Sequence, residues 1–200
     1  MSEYDREYYE LGTKSGYRDY SWKRLGSMFQ STAKHIVNHF HPARLLDVGC
    51  AKGFLVKSLV DLGIDAEGLD VSEYAISHCH PDVKPRVRLG DIADLPYGDK
   101  SFDVVTCLDV LEHLDHPEIA VKDLERVSTK WILVHVWTAG SPDGLDVTHR
   151  RPPKKRSEYV KMFSNDWQSL EVKPYLGASW FRNPNCVVIM RRIESEQQDS

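Results

Sequence analysis

Two aspartates, each closing a short apolar run, stand where side-chain chemistry is easiest to read. Asp47 lies in LLDVGCAKG (residues 45–53) and Asp70 in GLDV, and glycines follow Asp47 at positions 49 and 53. Glycines at that spacing let a backbone turn tightly and let a ligand approach without a Cβ in the way. A helix opening after them would aim its first N–H groups at the same spot. An acidic side chain at the end of a second strand can accept hydrogen bonds from both hydroxyls of a ribose. The pair therefore implies a nucleoside-binding corner. The run Gly49-Cys50-Ala51-Lys52-Gly53 lacks the G-x-G-x-x-G of a dinucleotide fingerprint, and Asp47 would repel a phosphate while suiting a cationic ligand.

Such a corner needs strands that end side by side with helices behind them. Residues 21–40 carry Trp22, Leu25, Met28, Phe29, Ala33, Ile36, Val37 and Phe40 at helical spacing. ARLLDVG then reads as a buried strand, FLVKSLVDLG as a helix closed by Gly63, and IDAEGLDV as a second strand. SEYAISHCH opens a short helix on Ser72, a good N-cap; VRLGDI, SFDVVTCLD and KWILVHVW read as further strands, with HPEIAVKDLERVS a helix between the last two. Strand and helix alternate with short connections, the pattern of an α/β domain with a parallel sheet. After Trp137 the alternation breaks into a long loop rich in Pro, Gly, Arg and Lys over 138–157, followed by a helix near 157–163 and a strand at 186–190.

Bulk properties narrow the function classes. The 200 residues are 41% hydrophobic and 28% charged, with a formal net charge of -4. That balance makes nucleic acid an unlikely partner, and no apolar run is long enough to span a membrane. The charged, aromatic N-terminus MSEYDREYYE is not a secretory signal, so a cytoplasmic location is expected. Cys50, Cys79, Cys107 and Cys186 are widely spaced and read as reduced thiols, and His78-Cys79-His80 has no second ligand pair, so no metal is expected.

With these motifs in order, the chain resembles the class I S-adenosylmethionine-dependent methyltransferases, in particular the small-molecule enzymes of type 11/12. LLDVGCAKG looks like their first motif, GLDVSEYAI their second-strand acidic motif, and GDIADLPYGDKSFDVVTCLDVLEHL their adenine-loop and fourth-strand motifs. The likeness is strong over about residues 40–137; Ala51 replaces the middle glycine of the family's GxGxG. It implies a Rossmann-like, mostly parallel seven-stranded sheet flanked by helices on both faces. It also implies S-adenosyl-L-methionine as cofactor, with S-adenosyl-L-homocysteine as product.

By the same resemblance, Asp47, Gly49, Cys50 and Gly53 would hold the methionine moiety, and Asp70 the ribose with Val71 beside the adenine. Asp91 would accept from the adenine amino group with Ile92 on the ring, and Leu108 and Asp109 would close the pocket near the sulfonium. Asp103, Leu45-Leu46 and Val104-Val105 are expected to be structural.

Methyl transfer is an in-line displacement, so the protein must mainly align the nucleophile, and an oxygen or nitrogen acceptor can also need a base. His113 in DVLEHL and His149 in DVTHR are the candidates. The basic cluster Arg150, Arg151, Lys154, Lys155, Arg156 and Lys161 suggests capture of an anionic acceptor, with Arg150 and Arg151 in contact. By the same resemblance, the tyrosine-rich start would fold over the cofactor as a lid, and Tyr17 is expected to join Arg150 and Arg151 in binding the acceptor. The organisation expected is an N-terminal lid and helix over 1–40, a core over 41–192 with the basic loop at 138–157, and a frayed tail at 193–200. The expected activity is methyl transfer to O or N of a small anionic acceptor such as a sugar, lipid-linked glycan or metabolite. The rivals are RNA or protein methylation and a non-catalytic cofactor-binding partner protein.

Overall fold

The structure is a computed structural model that describes residues 3–15, 17–139, 146–150, 152–170 and 186–193. Seven strands form one sheet: β1 (Arg44–Val48), β2 (Asp65–Asp70), β3 (Val87–Leu89), β4 (Phe102–Leu108), β5 (Ser128–His135), β6 (Trp167–Leu170) and β7 (Val187–Arg192). Their order is β3-β2-β1-β4-β5-β7-β6. The first five strands are parallel, while β7 pairs antiparallel with both β5 and β6. The order reverses between β1 and β4, so the carboxyl ends of those two strands open a crevice beside Asp47 and Asp109.

The pleat sends successive side chains to opposite faces, and the apolar runs supply both. Leu45, Val104 and Leu133 pack on one face against Phe29, Ala33 and Ile36 of α1 (Trp22–Phe40) and Leu55 and Leu59 of α2 (Phe54–Val60). Leu46, Val105, Ile132 and Val134 pack on the other against Val121 and Leu124 of α4 (Pro117–Val127) and Tyr159 of α5 (Arg156–Val160). The short α3 (Glu73–Ser77) is capped as its sequence predicts, with the Ser72 hydroxyl accepting from Ala75 N–H at 3.0 Å.

The differences from sequence expectation are local. The third strand is only three residues long, and the last helix begins at Arg156. Strand β6, which has no counterpart in the sequence reading, is four residues with Trp167 buried and Gln168 exposed. Residues 7–11 form one turn of π-helix ending at Gly12. Asp103 is structural as expected: its carboxylate accepts from the N–H groups of Ala43 and Arg44 at 2.9 and 2.8 Å and fixes the start of β1. Arg156 faces the sheet edge, where Nε donates to the Val187 carbonyl at 2.6 Å. That member of the basic cluster joins α5 to β7. Arg151 and the tail at 194–200 lie outside the described residues.

Candidate functional site

The turn after β1 is built on Gly49, whose φ of +78° few side chains adopt. A Cβ there would come within 2.2 Å of the Val110 side chain. Ala51, at the middle-glycine position, also has a positive φ, 48°. Its N–H donates to Asp70 Oδ2 at 2.7 Å, while Asp70 Oδ1 accepts from Ser72 N–H at 2.8 Å. Asp70 thus ties the two loops together. Burial pushes its carboxyl above the ordinary range, and these backbone donors pull the other way. Asp47 is buried more completely and accepts from the Thr106 hydroxyl at 2.7 Å. Burial raises its carboxyl to about 7.

These loops enclose a cavity of about 300 Å³. Asp47, Gly49, Cys50, Asp70 and Val71 form its wall on the β1–β2 side, and Asp91, Ile92, Leu108 and Asp109 continue it past β3 and β4. Gly53 is not in the wall. It is the N-cap of α2 with φ 71°, and a Cβ there would press on Val87 and Val83, so its place is in the turn and its packing. Asp109 also has a positive φ, 57°, and its carboxylate pairs with His135 Nδ1.

The N-terminal arm roofs the cavity with Tyr4, Tyr8, Tyr9, Tyr17 and Tyr20. It is tied down at both sides. Glu10 pairs with Lys52 of the first-motif loop, and the Tyr4 carbonyl accepts from the Ser72 hydroxyl at 2.5 Å. On the other side, Tyr8 donates to Asp146 Oδ2 at 3.0 Å and Val147 N–H donates to the Lys14 carbonyl at 2.9 Å.

His113, 6% exposed, lies in the cavity wall. Its Nδ1 is 2.8 Å from Thr148 Oγ1, and burial holds the imidazole below its usual pKa. His149 is outside the wall: its ring packs behind His113 (centroids 4.7 Å apart) and against Trp137 (4.9 Å). Glu112 points inward, with Oε1 accepting from Trp137 N–H at 2.7 Å and its carbonyl accepting from Arg150 N–H at 2.8 Å. It joins the segment after β4 to the loop after β5.

Arg150 reaches the wall, but its guanidinium is 3.0 Å from Asp115 and 3.6 Å from Glu3. Among the described residues lining the cavity, six carboxylates (Glu3, Asp47, Asp70, Asp91, Asp109 and Asp115) stand against a single Lys or Arg side chain, Arg150. That acceptor-rich, acidic lining suits a ligand bearing a sulfonium and an ammonium far better than a phosphate. Thr106, Asp146, Thr148 and His135 escaped the sequence reading. Asp146 and Thr148 were adjacent to His149 in DVTHR, and that adjacency was the available signal.

An acid-lined cavity at the switch point of a 3-2-1-4-5-7-6 sheet defines a Rossmann-like cofactor-binding domain. Residues 46–130 match the methyltransferase domain family. The chain is 30% identical over 156 residues to the ubiquinone biosynthesis O-methyltransferase of Hahella chejuensis, covering 70% of this chain and 61% of that protein. The corresponding protein of Paraburkholderia phymatum is 35% identical over 109 residues, 50% of this chain and 47% of its own. In fold, the chain is similar to magnesium protoporphyrin IX methyltransferase from Synechocystis, crystallised with bound S-adenosylhomocysteine. The TM-score is 0.63, with 18% identity and 85% coverage of each chain. Residues 46–130 thus carry a methyltransferase domain of the class I, S-adenosylmethionine-dependent type, and S-adenosylmethionine is the cofactor of that class. The chain spans 61% or less of the length of these two relatives. Among the described residues, no helix is long and apolar enough to cross a membrane.

Proposed function

We propose that this chain transfers a methyl group from S-adenosylmethionine to a hydroxyl oxygen of a small acceptor, with His113 taking the proton. The observation that carries the assignment is the placement of His113 in the same cavity wall as the acidic corner, with Nδ1 anchored outside it on Thr148. The cofactor, when bound, supplies a methyl group on a sulfonium centre. Asp47 then faces the cationic methionine end together with the Gly49 turn, and Cys50 packs beside them. Asp70 accepts from the ribose hydroxyls, and Asp91 from the adenine amino group, with Val71 and Ile92 against the ring. Leu108 and Asp109 close the cavity near the reacting end.

His113 has its pKa lowered by burial, so the ring stays neutral and able to accept a proton at neutral pH. The tyrosine roof excludes water from the acceptor hydroxyl, and Tyr17 and Arg150 flank its approach. Because Arg150 is already paired with Asp115 and Glu3, a neutral hydroxyl compound meets less opposition here than an anion. The oxygen nucleophile agrees with the names of the relatives.

Calorimetric titration with S-adenosylmethionine, followed by S-adenosylhomocysteine release from pools of neutral phenols, alcohols, amines and carboxylates, tests the proposal. Release from a hydroxyl pool, lost in His113→Gln with cofactor affinity retained, is expected. No cofactor binding, or release from the amine pool alone, would overturn it.

A further inference from the structure

Thr148 Oγ1 lies 2.5 Å from Asp146 Oδ1 and 2.8 Å from His113 Nδ1, with the Tyr4 hydroxyl also bonded to the Thr148 side chain. A hydroxyl has one proton to donate, and a carboxylate can only accept. The Thr148 proton therefore goes to Asp146, and the contact with His113 is made only if Nδ1 carries the hydrogen. Two further donors converge on Asp146: Thr148 N–H at 2.9 Å on Oδ1 and the Tyr8 hydroxyl at 3.0 Å on Oδ2. With three donors aimed at it, Asp146 is an acceptor throughout, and the direction of the chain is set.

We infer that Asp146 and Thr148 are positioning residues that lock His113 in its Nδ1–H tautomer and leave Nε2 as the nitrogen that takes the acceptor's proton. The logic is that of an acidic residue orienting a histidine base, with a threonine hydroxyl inserted between them. The lock spans three segments. His113 follows β4, Asp146 and Thr148 belong to the loop after β5, and Tyr8 comes from the N-terminal arm. Other groups face the ring without replacing the lock: Tyr4 and Tyr8 edge-on, His149 behind, and Asp109 at longer range.

In the transfer step the acceptor O–H bond breaks and its proton passes to Nε2. The oxygen lone pair forms the new O–CH₃ bond, and the electron pair of the broken S–CH₃ bond stays on sulfur. The imidazolium then returns its proton to solvent. This use of Nε2 rests on the methyl-transfer proposal; the tautomer itself does not.

The test is therefore made without cofactor. Long-range ¹H–¹⁵N correlation on histidine-labelled protein distinguishes the two neutral tautomers, with His113→Gln assigning the signal. The wild type is expected to show the Nδ1–H pattern. Thr148→Val, nearly the same shape but without the hydroxyl, and Asp146→Asn should both lose its dominance, and Thr148→Ser should restore it. An Nε2–H pattern in the wild type, a pattern unchanged in Thr148→Val, or no rescue by Ser overturns the inference. Failure of S-adenosylmethionine binding in the wild type would sink the methyl-transfer proposal and leave the tautomer result standing.

Discussion

Tyr8 and Asp146 meet across 138 positions of sequence, the tyrosine hydroxyl donating to the carboxylate at 3.0 Å. The contact joins the roof of the cavity to the loop that holds Thr148 against His113. Tyr8→Phe keeps the ring packing and removes this bond alone. One hydrogen bond contributes about 0.5–1.5 kcal/mol net. The melting temperature should fall by roughly 2–4 °C for each kcal/mol lost, and bound S-adenosylmethionine should dissociate several-fold faster by stopped-flow. Unchanged release would show that this contact does not hold the roof closed.

Asp47 gives a pH signature. Burial lifts its carboxyl to about 7, so the folded chain holds a proton there that the unfolded chain gives up near pH 4. The folded state is then favoured at the acid side, and this contribution is lost as pH rises towards 7 and is level beyond it. A bound sulfonium or ammonium favours the ionised form, so cofactor binding should release a proton and weaken as pH falls below 7. Calorimetry in buffers of different ionisation enthalpy reads the proton directly. Asp47→Asn should raise the melting temperature of the free protein at pH 8, abolish the proton release and weaken binding more than tenfold. A wild-type binding curve flat from pH 6 to 8 would contradict the assignment.

Asp70 serves the loops before it serves a ligand, because both carboxylate oxygens already accept from backbone N–H groups. Asp70→Ala leaves the Ala51 and Ser72 donors unpaired, at a cost of about 1–3 kcal/mol for each buried group. Both stability and cofactor affinity should drop, in contrast to a residue that touches only the ribose. Denaturant unfolding beside calorimetry separates the two effects; an unchanged affinity would remove Asp70 from the cofactor site.

Gly49→Ala should be severe, since the new Cβ would sit 2.2 Å from Val110 Cγ2 on a backbone at φ +78°. Adding Val110→Ala relieves the clash and leaves the left-handed backbone, which costs about 1–2 kcal/mol. The double variant is therefore expected to be more stable than Gly49→Ala alone in urea unfolding. Simple additivity of the two losses would show that contact with Val110 is not what excludes a side chain.

Much of this was readable in the sequence because the informative residues end apolar runs. Leu45 and Leu46 reach opposite faces of the sheet as a buried parallel strand requires, and Asp47, Asp70 and Asp109 each close such a strand. Strand β6 was hidden because four residues with one buried side chain carry no periodicity. The two histidines could not be ranked from spacing. Which one faces the cavity depends on how the loop after β5 folds back, a contact between residues 35 positions apart. Arg156 shows the limit of charge counting: a cation within a basic run is spent on the Val187 carbonyl of β7 and the Leu170 carbonyl of β6 rather than on a ligand.

The backbone bond from Val147 to Lys14 has a kinetic consequence. With Tyr8–Asp146 beside it, the arm and the loop are fastened to each other as well as to the sheet, so neither can lift away without loosening the other. Entry of cofactor and departure of spent product would then cross one common opening barrier. Cofactor binding would follow a single exponential whose rate levels off at high cofactor concentration, and product departure would share that limiting rate, the frequency with which this joined flap swings outward.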